Sequence, residues 1–326
     1  MTVRSATLGI ALLAGLPAAA AAEAQARGQS ASVTATTAPN IPGVVAGGTQ
    51  VELIKEGLQG TGTVIAAPDG AIILTENEAN KLLLLDKHGN LSTFAEDTNR
   101  TVGLGYDAKG RLIGTVTRKP RIEVFAPTRY VLVDSFEGQP LSRPNDLVID
   151  KKGGVYFTDY IPLPQQAFAP PPPGRKDALF YIKPDGQLIK ITEYVENPNG
   201  IQLSADEKTL YAANGDVISA FDVQPDGTVR NPRTFARLVG VRRTDTGFAG
   251  AADGLAVDGA GRVYVATGTG VQVFNPQGQH LGTIPIPRAP QGLAFAGADK
   301  KTLYVVGRGA LYKVAMLAQG LTSRVK

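Results

Sequence analysis

The chain has 326 residues, of which 43% are hydrophobic, and a formal net charge of +4 at pH 7. Its 38 glycines and 22 prolines favour many turns over long helices, around a sizeable core. The absence of cysteine excludes thiolate metal sites and cysteine nucleophiles. The charge is modest, tryptophan is absent and no run of Lys and Arg is interleaved with aromatic residues, so nucleic-acid binding has little support.

The first 26 residues have the pattern of an export signal. Arg4 supplies a positive start, residues 6–16 are apolar, and several Ala-x-Ala cleavage sites follow between Ala19 and Ala26. The apolar run is about a dozen residues long, whereas a membrane span needs about 20. We therefore expect a periplasmic or secreted protein without a membrane anchor. Residues 27–48 are small, polar and rich in Pro and Gly, which predicts a flexible lead-in.

Six segments between residues 49 and 326 share one pattern: a polar or small residue, an apolar strand, a turn rich in Asp and Gly, and a second strand. They begin at Gly62, Val102, Asn145, Asn199, Asp253 and Gln291. Each continues into further extended sequence, and two hairpins in about 40–50 residues make one four-stranded propeller blade. The sequence therefore predicts an all-β fold, a six-bladed β-propeller. A β-sandwich has similar hairpins but does not explain six copies in register.

The third repeat carries an insertion of 16 residues, from Ile161 to Lys176, that includes four consecutive prolines. Such a run is stiff and extended. We expect it to lie over one end of the propeller as a rim or lid.

The first residue of each repeat should begin an innermost strand, where the blades converge on the central channel. Three consecutive repeats place Asn145, Asn199 and Asp253 there, and the next places Gln291. Amide and carboxylate oxygens suit a hard divalent cation, and their mixture favours Ca²⁺ over Mg²⁺. The alternative is turn chemistry, because Asn-Gly and Asp-Gly pairs are common hairpin signals. Two other repeats make the same pattern without Asn or Asp, which favours the metal site.

Other acids and the histidines have simpler interpretations. Asp107, Asp150 and Asp258 each precede a tight turn and are predicted to cap it. The two histidines, His88 and His280, lie in polar turns without a Gly-x-Ser-x-Gly segment beside them. A Ser-His-Asp triad therefore has no support.

Three blade motifs resemble those of the senescence marker protein/gluconolactonase/luciferin-regenerating enzyme family. They are "RPNDLVIDKKGGVYFTD", "NPNGIQLSADEKTLY" and "ADGLAVDGAGRVYVAT", and the resemblance covers nearly all of residues 50–315. Members of that family are six-bladed propellers that bind a divalent cation in the channel, usually Ca²⁺, and hydrolyse lactones. A more distant branch, diisopropylfluorophosphatase, cleaves organophosphates. The resemblance thus implies a small-molecule substrate, a lactone. From the composition and the short apolar run we expect no nucleic-acid or membrane partner.

Residue by residue, the resemblance implies that Asn145, Asn199 and Asp253 are metal ligands. Arg143 matches an arginine that contacts substrate, and Asp253 matches the aspartate that acts as base or nucleophile.

Two positions depart from the family pattern. Gly62 stands where the first blade of the family carries a glutamate ligand, and Val102 stands where related sequences often have Asn. One carboxylate remains in place of two, which predicts weak Ca²⁺ binding, nearer ~10⁻⁴ to 10⁻³ M than a buffer site. Glu56 is a candidate replacement ligand, with a solvated surface acid as the alternative. Two functions therefore stand: a cation-dependent lactone hydrolase, or a binding or scaffold propeller that has lost catalysis.

Overall fold

A computed structural model describes residues 36–164, 167–168, 170–245 and 247–322. The predicted export signal at residues 1–26 and the start of the predicted lead-in, residues 27–35, lie outside them. The described residues contain 28 β-strands and no α-helix, and accordingly no helix among them is long and apolar enough to cross a membrane.

Six antiparallel sheets of four strands form the blades, numbered here in chain order. Strand β1 (Val51–Glu56) comes first in the chain but belongs to the last blade. Blade 1 contains β2 (Val64–Ala66), β3 (Ile72–Glu76), β4 (Lys81–Leu85) and β5 (Leu91–Ala95). Blade 2 contains β6 (Thr101–Tyr106), β7 (Leu112–Val116), β8 (Arg121–Ala126) and β9 (Tyr130–Val133). A small hairpin follows, made of β10 (Ser135–Phe136) and β11 (Gln139–Pro140).

Blade 3 contains β12 (Pro144–Ile149), β13 (Val155–Asp159), β14 (Ala178–Ile182) and β15 (Leu188–Thr192). Blade 4 contains β16 (Ile201–Leu203), β17 (Thr209–Asn214), β18 (Val217–Val223) and β19 (Val229–Arg237). A second small hairpin joins β20 (Arg242–Thr244) to β21 (Gly247–Ala249). Blade 5 contains β22 (Leu255–Val257), β23 (Val263–Thr267), β24 (Gly270–Phe274) and β25 (His280–Ile284). Blade 6 contains β26 (Gly292–Ala296), β27 (Thr302–Gly307) and β28 (Ala310–Ala315), with β1 as its outer strand.

The two ends of the propeller meet in blade 6. Strand β1 pairs antiparallel with β28, with Val51 opposite Val314 and Glu56 opposite Ala310. The predicted six-bladed β-propeller is confirmed, and the ring is closed by hydrogen bonds between strands from opposite ends of the sequence.

The core lies between neighbouring blades. One cluster packs Ile113 and Val124 of blade 2 against Leu147 and Phe157 of blade 3, and another joins blades 6 and 1. Strands buried on both faces read as apolar runs rather than as alternating patterns, as in β14, where all five residues are buried. The turns between the first two strands of a blade are capped as predicted. For example, Asp150 Oδ1 accepts the N–H groups of Lys152 and Gly154.

Residues 36–48 correct the prediction of a flexible lead-in. Ala38, Ile41, Val44 and Val45 are buried in the same cluster as core residues of blades 5 and 6. The carbonyl of Val44 also accepts the N–H groups of residues 317 and 318. This part of the lead-in is ordered because its few apolar residues cover an apolar surface of the propeller.

The insertion of blade 3 packs beside the start of β12. Pro162, Phe168, Pro170 and Pro172 line a small cavity of about 80 Å³ together with residues of blade 2 and Arg143. The insertion therefore lies next to one of the predicted site residues.

Candidate active site

All four predicted site residues line one cavity of about 490 Å³: Arg143, Asn145, Asn199 and Asp253. The cavity lies where the innermost strands begin, since residues from all six blades contribute to its wall. The further lining residues used below are Thr61, Gly62, Glu78, Arg100, Val102, Asp146, Gln291 and Arg308.

The Asn and Asp residues of this ring are not turn residues. Asn145, Asn199 and Asp253 are absent from the described residues with positive φ, so the left-handed turn conformation does not explain them. The glycines that follow two of them have a different purpose. A Cβ on Gly200 would lie 2.1 Å from the Asp253 carbonyl oxygen, and one on Gly254 would lie 2.9 Å from that of Gln291. Glycine is needed because neighbouring innermost strands approach closely.

Threonines on the second strands hold the ring residues in place. Thr158 of β13 accepts the N–H of Asp146 in its own blade at 3.0 Å and donates its hydroxyl to the Asn199 carbonyl at 2.8 Å. Thr115 of β7 does the same one blade earlier, accepting the N–H of Gly103 and donating to the carbonyl of Asn145. These buried hydroxyls fix the main chain of two candidate ligands.

Asp253 lies in an environment that disfavours its charged form. Burial raises the pKa of its carboxyl to about 7, and the negative charge of Asp146 acts in the same direction. Arg308 and a hydrogen bond from the Asn199 side chain lower this pKa but do not offset burial. A bound cation would stabilise the carboxylate in the same way as Arg308.

Asp146 was missed by sequence analysis. It occupies the position that is glycine in four of the other innermost strands, and its carboxylate accepts the N–H groups of Leu147 at 2.9 Å and Ile201 at 3.2 Å. The side chain thus links blade 3 to blade 4 and places a second carboxylate at the cavity. The replacement of glycine by Asp at this repeat position was the available signal.

Arg143 is positioned by Asp159, at the end of β13. The two carboxylate oxygens of Asp159 accept the N–H groups of Ser142 at 3.0 Å and Arg143 at 2.6 Å. Burial raises the pKa of Asp159 to about 6, opposed by these two hydrogen bonds. The Arg143 guanidinium lies 5.5 Å from the ring centre of Tyr160 and 5.7 Å from that of Phe168.

Glu56 does not line the cavity. It lies on β1 and pairs with Arg288 at 2.8 Å. The first-blade carboxylate that does line the cavity is Glu78, which pairs with Arg100 at 3.5 Å. Gln291 has a structural role, because its Oε1 accepts the Thr61 hydroxyl and the N–H of Arg308.

The residues at the cavity fit a hard cation through the chemistry of their donors. Two amides and a carboxylate line one cavity. The described residues contain no group of three or more His, Cys, Asp or Glu side chains placed to hold a metal ion. Gly62 lines the cavity without a side chain. A Cβ there would lie 3.0 Å from Thr75 Oγ1 and 3.0 Å from the Val102 carbonyl oxygen, so blade 1 packs its backbone tightly against blade 2.

Fold and site together define a six-bladed β-propeller with a polar cavity where its innermost strands begin. Residues 59–308 match the family model described as the SMP-30/gluconolactonase/LRE-like region, and the chain belongs to this family. The resemblance stated from the blade motifs is thereby confirmed.

Individual relatives agree with this assignment. The chain is 30% identical over 230 residues to a gluconolactonase of Zymomonas mobilis subsp. mobilis, a match that covers 65% of this chain and 61% of that relative. A solved gluconolactonase structure from Xanthomonas campestris is 25% identical with a TM-score of 0.75, covering 86% of this chain and 97% of the other. The calcium-binding protein regucalcin from Agrobacterium tumefaciens shares the fold at 16% identity, with a TM-score of 0.68 and coverage of 83% and 95%.

Proposed function

We propose that this protein hydrolyses lactones with the help of a divalent cation, for which Ca²⁺ is favoured. The observation that carries the proposal is the convergence of Arg143, Asn145, Asn199 and Asp253 on one cavity. The gluconolactonase relatives and the calcium-binding neighbour support it at the level of the family.

In the proposed mechanism the site residues hold the cation, bind the substrate and transfer a proton, and Asp253 has two of these roles. Asn145, Asn199 and Asp253 would hold the cation, which when bound supplies Lewis acidity at the lactone carbonyl. Arg143 binds polar oxygens of the substrate through its fork of donors. Asp253 takes a proton from the attacking water and returns it to the ring oxygen as the C–O bond breaks, giving a hydroxy acid. A bound cation and Arg308 both favour the ionised form of Asp253, which is the form that accepts a proton from water.

The test is a lactone panel assayed after dialysis against a chelator, with and without added Ca²⁺. We expect Ca²⁺-dependent hydrolysis that falls by about 10² or more in Asp253→Asn, because the variant loses both a ligand charge and the base. Asp226→Asn is the matched control, since Asp226 lies in an exposed turn of blade 4. An unchanged rate in Asp253→Asn would refute the assigned role.

A second candidate is a propeller that binds without catalysis. It is favoured by Gly62, which leaves blade 1 without the second carboxylate that the family resemblance implies. No turnover of any lactone, together with no Ca²⁺-dependent rise in Tm, would support it. Organophosphates belong in the same panel as a subsidiary enzyme hypothesis.

We also propose that the protein is exported to the periplasm or secreted, on the pattern of residues 1–26. Cell fractionation should then find a shortened chain outside the cytoplasm. Replacing Leu12 and Leu13 by Arg interrupts the apolar run and should retain the full-length chain in the cytoplasm. Export of that variant at the normal level would contradict the proposal.

A further inference from the structure

The insertion of blade 3 places an aromatic residue, Phe168, beside the candidate site. Phe168 is 41% exposed, and a single exposed apolar side chain is by itself ordinary. Its surroundings are not ordinary, because the guanidinium groups of three arginines approach its ring. The guanidinium carbons of Arg100, Arg118 and Arg143 lie 5.2, 5.8 and 5.7 Å from the ring centre. These distances are within the range of cation–π contacts, about 6 Å.

A second ring contacts the arginine that is predicted to bind substrate. The guanidinium carbon of Arg143 lies 5.5 Å from the ring centre of Tyr160. Tyr160 directly follows β13 and is buried, and its N–H donates to the Arg143 carbonyl at 3.4 Å. Burial raises the pKa of the Tyr160 hydroxyl, whereas the charge of Arg143 lowers it, which agrees with close contact between the two side chains. We call Tyr160 and Phe168 the aromatic pair.

Phe168 is connected to the candidate site through Arg143. Phe168 lines the small cavity of about 80 Å³ beside the start of β12, whereas Arg143 lines both that cavity and the site cavity of about 490 Å³. Proline rings are stiff, and a wall built from them restricts the position of the Phe168 ring. The prolines in the wall of the small cavity are Pro120, Pro140, Pro162, Pro170 and Pro172.

An arginine that binds substrate gains affinity when its side chain is held in place beforehand. The long side chain has many rotamers, and restricting them only on binding weakens affinity. The main chain of Arg143 is already held by the Asp159 carboxylate, which accepts its N–H at 2.6 Å. The aromatic pair acts on the other end of the residue, the guanidinium. Stacking on a ring is compatible with hydrogen bonds to substrate oxygens, because the N–H donors lie in the guanidinium plane.

We propose that Phe168 is a positioning residue of the candidate site, which together with Tyr160 holds the Arg143 guanidinium in place for the substrate. This inference rests on the proposed role of Arg143 in substrate binding, and it gives the insertion of blade 3 a function. The blade 3 motif that carries the family resemblance ends at Asp159, so both rings lie outside it. Phe168 is therefore a feature of this chain's own insertion.

The test replaces the ring by an apolar side chain that has no π face. In Phe168→Leu, KM for a hydrolysed lactone should rise on the order of fivefold with kcat little changed, because ground state and transition state lose the same binding through Arg143. Phe168→Tyr retains the ring and should retain the KM of the unaltered protein. Equal KM values in Phe168→Leu and Phe168→Tyr would overturn the proposal. So would a fall in kcat alone, which is the result expected from a loss of folded protein.

A double-mutant cycle shows whether Phe168 acts through Arg143. In an Arg143→Gln background the cation is absent, so Phe168→Leu should change KM by less than about twofold. Phe94→Leu is the matched control, because Phe94 is 37% exposed on the outer strand of blade 1. This replacement should leave KM unchanged in both backgrounds. An equal rise in KM for Phe168→Leu in both backgrounds would refute the action through Arg143.

A measurement without turnover separates this inference from the proposed function. The chain has no tryptophan, so Phe168→Trp introduces a single fluorescent ring at this position. Adding Arg143→Gln should raise the acrylamide quenching constant of this ring about twofold or more, because a contact that covers it is lost. Adding Arg233→Gln on the outer strand of blade 4 should leave the constant unchanged.

The two hypotheses then fail in different ways. Quenching that depends on Arg143, without hydrolysis of any lactone, would refute the lactonase and support the contact between Phe168 and Arg143. Lactone hydrolysis with KM and quenching both insensitive to these replacements would refute the role of Phe168 and leave the lactonase standing.

Discussion

The carboxyl of Asp253 connects the site to the stability of the protein. Its pKa is raised from 3.8 to about 7 by burial, so between these pH values the folded state binds a proton that the unfolded chain has released. Stability therefore falls as pH rises through this range in the cation-free protein. A cation that binds the ionised carboxylate would restore the stability that is lost at higher pH.

We predict that in chelator the Tm of the protein falls more steeply from pH 5.5 to pH 8 than the Tm of Asp253→Asn. Asp159 has a pKa raised in the same direction, but it is present in both proteins and cancels in the comparison. Added Ca²⁺ should raise the Tm at pH 8 in the unaltered protein only. Parallel Tm curves for the two proteins would contradict the assignment.

Gly62 leads to a prediction about affinity. Gly62→Glu would return a second carboxylate to the ring, and charge count raises Ca²⁺ affinity. We expect Kd for Ca²⁺ to fall about tenfold or more, measured by calorimetry. Gly62→Ala is the matched control, because it adds the same Cβ, 3.0 Å from Thr75 Oγ1, without the charge. An equal affinity in both variants would show that position 62 does not reach the cation.

At the scale of elements, threonines on the second strand of one blade bond to the innermost strand of the next blade. Thr115 and Thr158 each join their own innermost strand to the carbonyl of the next ring residue. Thr75 occupies the same place in blade 1 but accepts only the N–H groups of Gly62 and Thr63. The hydroxyls of Thr115 and Thr158 therefore bond to the carbonyls of candidate ligands, Asn145 and Asn199. The hydroxyl of Thr75 instead accepts a hydrogen bond from Gly62.

We predict that Thr158→Val weakens Ca²⁺ binding and lowers the free energy of unfolding by about 1–3 kcal/mol, because buried groups lose their partners. Thr75→Val should lose similar stability with little change in Ca²⁺ affinity. Denaturant unfolding and calorimetry on the two variants measure both quantities. Equal losses of Ca²⁺ affinity in the two variants would mean that the hydrogen bond from Thr158 to the Asn199 carbonyl has no specific effect on the site.

The repeat pattern was sufficient to predict the strands of the six blades and the residues that begin their innermost strands. Asn145, Asn199 and Asp253 were predictable because the same position in each repeat begins an innermost strand. Arg100 and Arg308, which also line the cavity, were not predictable. Both lie in connections between strands, and the sequence of these connections varies between repeats. Residues 36–48 were misjudged because their composition resembles a linker, while the apolar surface that orders them is formed by distant strands.

At the scale of the whole molecule, β1 closes the ring. It supplies the fourth strand of blade 6 and covers the edge of β28, and its Val51 is buried. An uncovered strand edge exposes unpaired backbone groups and invites association.

We predict that a chain beginning at Gly57 is strongly destabilised or aggregates, because it lacks β1 and the buried residues before it. A chain beginning at Thr36 keeps every described contact and should retain the Tm of the full chain. Thermal unfolding and light scattering distinguish the two. Cooperative unfolding of the shorter chain at the same Tm would show that closure is dispensable.

Because β1 and β28 close the ring, the site can form only after the last blade has been synthesised. The Thr61 hydroxyl meets Gln291 across 230 residues of sequence, and Arg308 completes the cavity wall only after blade 6 has been made. Contacts this distant in sequence form late in folding. A chain that lacks blade 6 therefore has no assembled site, so that any activity reports on closed molecules alone.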